Sequence, residues 1–125
     1  MIRYVIMMFL VLIGECANAH QFLPTYPVFQ YSFIEGVVYT KMQLFNKRQD
    51  VDYYELTVFD ENWKPVTFAS ENKLIQVNYL QTKDVNVYVR KEDAKRVSYI
   101  CTESKLKRQD IQNTIISSKI CSKVK

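Results

Sequence analysis

The sequence predicts an all-β fold, two sheets packed face to face, and three observations carry that prediction. Apolar and polar residues alternate with a period near two in several short stretches. The plainest is Val85–Arg90, where Val85, Val87 and Val89 share one face and Asn86, Tyr88 and Arg90 the other. Polar turn clusters separate these stretches at close spacing. No stretch sustains an apolar period of 3.6, although 105–116 has room for one helical turn.

Residues 1–19 stand apart from the fold. Met1-Ile2-Arg3 is a short basic start, and Tyr4–Ile13 is an apolar run too short to span a bilayer. Ala17-Asn18-Ala19 then supplies the small-x-small pattern of a signal-peptidase site. A cleavable signal peptide is expected over 1–19, leaving one domain over 20–125 that begins at His20, with no stable membrane span after cleavage. Cys16 follows Glu15, not the small residue that lipidation requires. The location expected is periplasmic or secreted.

The elements follow in order. Phe22–Phe33 reads as an edge strand interrupted by Pro24 and Pro27, which lack the N–H a central strand donates. Val37–Asn46 alternates, with Val38, Thr40, Met42 and Leu44 on one side. Val51–Asp60 is the central strand, with Tyr54, Leu56 and Val58 on one face and a β-branched and aromatic content suited to a half-buried sheet. Asp60-Glu61-Asn62-Trp63-Lys64-Pro65 closes it as a turn. Lys73–Tyr79, Val85–Arg90, Val97–Thr102 and Thr114–Val124 are the remaining strands, with charged turns at 81–84 and 91–95.

Seven short strands in about 100 residues are the pattern of a seven-stranded immunoglobulin-like β-sandwich. The tryptophan that antibody domains bury on a central strand is absent, because Trp63 lies in a turn. Once the leader is removed, Cys101 and Cys121 remain, and an even count in an exported chain reads as one disulfide. A hairpin of the last two strands centred near Ile111 sets Cys101 opposite Cys121.

The mature chain resembles the N-terminal immunoglobulin-like domain of periplasmic pilus chaperones of the chaperone–usher type. Thr25–Phe29 sits where that family's first strand runs. Met42–Asn46 looks like its second strand, which closes on asparagine. Tyr54–Asp60 with Pro65 resembles the third strand and its turn, Val97–Thr102 the sixth, and Ile120–Lys125 the end of the seventh. The resemblance implies a binding module that pairs its last strand with a pilin-like client. In the family an arginine on the first strand and a lysine on the seventh hold the client's C-terminal carboxylate. Tyr26 stands at the arginine position and Lys125 or Lys123 at the lysine position. The family's second domain has no counterpart in these 125 residues.

The chemical inventory excludes most enzymes. His20 is the single histidine, so neither a Ser-His-Asp nor a Cys-His arrangement can be built without it. An N-terminal histidine that chelates copper needs a second histidine, which the chain lacks. Two cysteines and one histidine do not close a four-ligand metal site. Asp60 and Glu61 are adjacent at a turn and read as solvated. No catalytic, cofactor-binding or metal-ligating residue is therefore expected, and no cofactor.

Binding remains. The net charge of +4 concentrates in the tail, where Lys105, Lys107, Arg108, Lys119, Lys123 and Lys125 face Asp110 alone. A basic edge on an exported protein points to acidic partners or a membrane surface more than to nucleic acid. It also reads as a solvated edge kept charged against aggregation. The expected partner-binding residues are Ile116, Ile120, Lys123 and Lys125, on a strand offered to an envelope or pilin-like subunit. The other reading is a structural or accessory subunit of a bacterial envelope assembly, secretion or conjugation machine. Mass spectrometry of protein recovered from the periplasm or medium is expected to give a chain starting at His20. A full-length chain held in the inner membrane would overturn the cleavage.

Overall fold

The computed structural model describes residues 20–105 and 117–124. The expected signal peptide, Ile116 and Lys125 lie outside the described residues. The chain forms β1 (Gln21–Leu23), β2 (Gln30–Tyr31), β3 (Val37–Phe45), β4 (Tyr53–Phe59), β5 (Leu74–Gln76), β6 (Thr82–Arg90), the short helix α1 (Lys91–Ala94), β7 (Tyr99–Lys105) and β8 (Lys119–Lys123). These strands make two antiparallel four-membered sheets. In the first, β3 pairs with β6 from Val37–Arg90 to Phe45–Thr82, while β1 and β2 share its other side. The second runs β5-β4-β7-β8.

Alternation dictates which faces meet. From the first sheet, Val38, Thr40, Met42 and Leu44 of β3 point inward beside Val85, Val87 and Val89 of β6. From the second, Tyr54, Leu56 and Val58 of β4 point inward beside Ile100 and Thr102 of β7. All are buried, and each large apolar side chain so placed contributes about 1.5–3 kcal/mol relative to exposure.

Several strand boundaries differ from expectation: β5 is shorter than the expected Lys73–Tyr79, β7 is shifted from the expected Val97–Thr102, and three further differences have a physical reason. The single first strand is two short ones, β1 and β2, because Pro24 and Pro27 leave 24–29 unable to complete a ladder. The expected seven strands thus become eight strand segments among the described residues. β6 starts at Thr82, three residues before the alternation begins, since Thr82, Lys83 and Asp84 pair with Phe45, Leu44 and Gln43 in the ladder and stay exposed, with Asp84 also reaching Lys41 of β3. The charged stretch after Arg90 coils into α1 instead of a simple turn.

One buried polar residue ties the loops together. Asn46 is fully buried directly after β3. Its Nδ2 donates to the carbonyls of Val51 (2.7 Å) and Val77 (2.8 Å). Its Oδ1 accepts the Tyr54 hydroxyl (2.6 Å) and the Arg48 N–H (2.9 Å). Burial pushes the Tyr54 phenol up to about 12, so its O–H is intact to donate. Every donor and acceptor of the side chain is used, which is what burying an amide demands.

Across β7 and β8 the register is Tyr99–Lys123, Cys101–Cys121 and Glu103–Lys119. The two sulfurs stand at disulfide-bonding distance, 2.09 Å, closing a separation of 20 residues. The pairing agrees with the hairpin register read from the sequence. Replacing both cysteines with serine is expected to lower stability by about 3 kcal/mol, read as the urea midpoint. An unchanged midpoint would mean the bridge does not form in solution.

Candidate functional site: the β8 edge

β8 is the last strand of its sheet and is laddered on one side only, to β7, while β1 of the other sheet packs close to it without a ladder. Its outward groups follow from the register. The Cα atoms of Cys101 and Cys121 are 4.1 Å apart, the close spacing of a pair that does not exchange backbone hydrogen bonds. Ile120 and Ser122 therefore bond to β7, and Lys119, Cys121 and Lys123 aim their N–H and C=O groups at the edge. Two bonds beyond the strand fit this phase: Val124 N–H to the Ser98 carbonyl (2.9 Å), and Lys123 N–H to the Thr25 carbonyl (3.0 Å). That second bond is the one backbone link across the β8 edge among the described residues. The N–H and C=O groups of Lys119 and Cys121 are left facing outward.

Side chains alternate the other way. Ile120 and Val124 turn inward and pack, partly buried, against the core, with Ser122 fully buried between them. Lys119 and Lys123 are exposed on the outer face. Of the four expected contact residues, the structure thus places Ile120 inside the sandwich and Lys123 on its surface. Ile116 and Lys125 lie outside the described residues. Tyr26, at the position where the resembling family carries arginine, is exposed.

Sequence reasoning missed what holds the start of β8. His20 is buried, its ring 4.5 Å from that of Tyr54. Its Nδ1 is 2.9 Å from the Ser118 hydroxyl and its Nε2 2.8 Å from the Thr102 hydroxyl. Ser118 is fastened further: its N–H donates to Ser104 Oγ (2.8 Å), and its carbonyl accepts the Ser104 N–H (2.8 Å). The Arg48 guanidinium reaches Ser104 Oγ (3.5 Å) and pairs with Asp50. The first described residue of the domain thereby clasps the approach to its last strand. Both imidazole nitrogens are engaged with hydroxyls, so neither is open to a metal ion. Among the described residues no group of three His, Cys, Asp or Glu is placed to hold one.

No protein-family model matches this chain, and no curated protein matches it significantly.

Burial pushes the His20 imidazole down to about 4; the Thr102 hydrogen bond opposes this and the Arg48 charge adds to it. The unfolded chain titrates near 6.5, so between these values it binds more protons than the native state. Stability from this residue is complete above pH 6.5, falls as pH drops towards 4, and falls no further below that. The loss is expected to reach roughly 2 kcal/mol after partial screening. Urea midpoints from pH 7 to pH 4 check it, with His20→Gln expected to remove this part of the slope.

Proposed function

We propose that the protein is an exported, non-catalytic binding module with an immunoglobulin-like sandwich that takes an envelope or pilus-type protein partner by strand pairing at the β8 edge. The observation that carries the reading is the open backbone at Lys119 and Cys121, on an edge strand braced by a disulfide. Strand addition needs this combination: unpaired main-chain groups for affinity, on a strand that does not itself slip.

The strand order supports the sandwich type. Consecutive strands β3 and β4 lie in different sheets, as do β6 and β7, which is the crossing pattern of Greek-key sandwiches. The outer edge of β6, nine residues long, is already bonded to Ala69 at Tyr88, and the β1–β2 edge is poorly suited to pairing. β1 and β2 are three and two residues long, separated by two prolines. On this reading Lys123 and Lys125 meet acidic groups of the partner, and Ile116 supplies an apolar contact.

A second reading, a structural or accessory subunit of an envelope assembly, secretion or conjugation machine, is favoured by one observation. Ile120 and Val124 pack on their own core, whereas a donated strand displays such residues to its client.

One substitution separates the two readings. The Lys119 N–H points at the edge, so Lys119→Pro removes no bond within the sheet but blocks a strand from adding there. The partner that co-purifies with the exported protein is expected to be lost from Lys119→Pro, while the β-type circular dichroism spectrum is retained. In the wild-type complex the Lys119 and Cys121 amides are expected to gain protection from hydrogen exchange. A partner that stays bound to Lys119→Pro, with both amides still exchanging freely, would refute edge pairing and leave the scaffold reading.

A further inference from the structure

We infer that the outer face of the β1–β3–β6 sheet binds a neutral, β-linked oligosaccharide, which rests a sugar ring on Tyr39 and Tyr88 and runs along β3 past Gln43 and Gln21. The site belongs to the sheet that does not contain β8 and uses none of the groups assigned to the β8 edge.

The register lays out one outward row. Along β3, Tyr39, Lys41, Gln43 and Phe45 alternate with the buried residues and stand opposite Tyr88, Asn86, Asp84 and Thr82 of β6. β1 widens the row, with Leu23 beside Gln43 and Gln21 beside Phe45. Three open depressions follow this row. The first, about 420 Å³, lies between Tyr39, Tyr88 and the tip of the β2–β3 hairpin. It shares Lys41 with the second, about 500 Å³, which shares Leu23 and Gln43 with the third, about 220 Å³. The result is a continuous trough along roughly 20 Å of β3, at about 3.4 Å per residue. That shape suits a linear chain, and β-linked pyranoses run straight with their C–H groups on flat faces.

One end of the trough suits a sugar ring. The rings of Tyr39 and Tyr88 lie side by side, centroids 5.7 Å apart at an interplanar angle of 25°. No cation stands over either ring, and neither phenol hydroxyl has a hydrogen-bond partner, among the described residues. Phe33, fully exposed, and Ile34, 62% exposed, wall the same depression. They are held there by Ser32, whose Oγ accepts the Ile34 N–H (3.1 Å) and lies 2.6 Å from the Val37 carbonyl. An apolar wall fixed in solvent beside an aromatic floor marks a contact surface. An aromatic face is electron-rich and attracts the polarised C–H groups of a sugar ring. Phe45 does not offer the same platform, because the Lys47 ammonium stands over its ring at 5.9 Å.

The rest of the trough selects a neutral, hydroxylated ligand. Lys41 is the one charged residue lining it among those described, and Asp84 pairs with it at 3.3 Å. Neither an acidic nor a basic chain is therefore favoured. Gln21 and Gln43 carry exposed amides bonded to no other described residue. Each amide both donates and accepts, as does each tyrosine hydroxyl, and a sugar hydroxyl answers either role. A peptide strand is the poorer fit. β3 is central in its sheet, with β6 on one side and β1 and β2 on the other, so this face presents no strand edge.

Calorimetry of the exported protein with cellohexaose and chitohexaose, both neutral and β-linked, tests the inference. At least one is expected to bind saturably, with an affinity unchanged when salt is raised to about 1 M. Oligogalacturonate and decaproline are expected to bind more weakly or not at all. The pair Tyr39→Ala and Tyr88→Ala is expected to abolish binding while the β-type circular dichroism spectrum is retained. Gln43→Ala, at an exposed position, is expected to weaken binding several-fold, the loss of one neutral hydrogen bond. Binding of neither neutral sugar overturns the inference, as does full affinity in the folded tyrosine pair. If that pair unfolds, unchanged affinity in Gln43→Ala overturns it instead. Tighter binding of oligogalacturonate would make the site one for acidic chains, and tighter binding of decaproline would make it a protein-docking face; either overturns the inference.

Discussion

The sandwich depends on Asn46. Three chain segments converge at the end of β3: the turn that leads into β4, the stretch after β5, and the start of β6. The first two bring carbonyls into buried hydrogen bonds. Asn46 satisfies them from one point, through Val51 and Val77 carbonyls, the Arg48 N–H and the Tyr54 hydroxyl. Its own backbone adds bonds to Leu80 and Gln81. An apolar residue of the same size would leave at least two carbonyls and a phenol orphaned in the interior, each costing about 1–3 kcal/mol. The β3-to-β4 crossover between sheets is therefore fastened by hydrogen bonding, while the sheets themselves are held by apolar burial.

β8 illustrates how a register distributes work over one strand. Period-two alternation gives Ile120, Ser122 and Val124 to the core and Lys119, Cys121 and Lys123 to the surface. The hydrogen-bond phase gives the even residues to β7 and the odd ones to the edge. The same three odd residues thus hold the disulfide, the outward charges and the edge-facing backbone, of which the Lys123 N–H is bonded to Thr25. A one-residue slip would exchange all of these at once, and the Cys101–Cys121 pair forbids it.

Much of the fold was legible because alternation is a local signal. The inward faces of β3, β4 and β6 agree residue by residue with the pattern of valine, leucine, methionine and tyrosine along them. The β7–β8 register was legible because two cysteines sit at mirror positions about a plausible turn. The extent of β6 was not, since Thr82–Asp84 are exposed polar residues that carry no alternating apolar pattern. His20 was the largest omission. The sequence offered it only as a catalytic or metal-binding group, because the hydroxyls that hold it belong to Thr102 and Ser118, 82 and 98 residues away. Trp63 could be placed in a turn from its neighbours, but its left-handed backbone could not, because nothing local prefers tryptophan there. For Ile120 the sequence shows which side it takes, but whether that side is covered depends on the depth of the groove between the sheets.

On the proposed reading, the geometry bounds how a partner strand engages. Pairing with Lys119 and Cys121 breaks no existing backbone bond, because those groups already face outward. Extension past Cys121 meets Thr25, whose carbonyl holds the Lys123 N–H. A longer partner strand must therefore displace the segment between β1 and β2, which has no other backbone bond to β8 among the described residues. That segment carries exposed Tyr26 and Val28 beside Thr25. Displacing it would trade that hydrogen bond, the burial of Pro27 and the packing of Phe29 on the core for new main-chain bonds to the partner. At the other end, the Ser118–Ser104 bonds and the His20 clasp hold the strand to its own sheet, so the edge opens from the Lys123 end and stays anchored at Lys119.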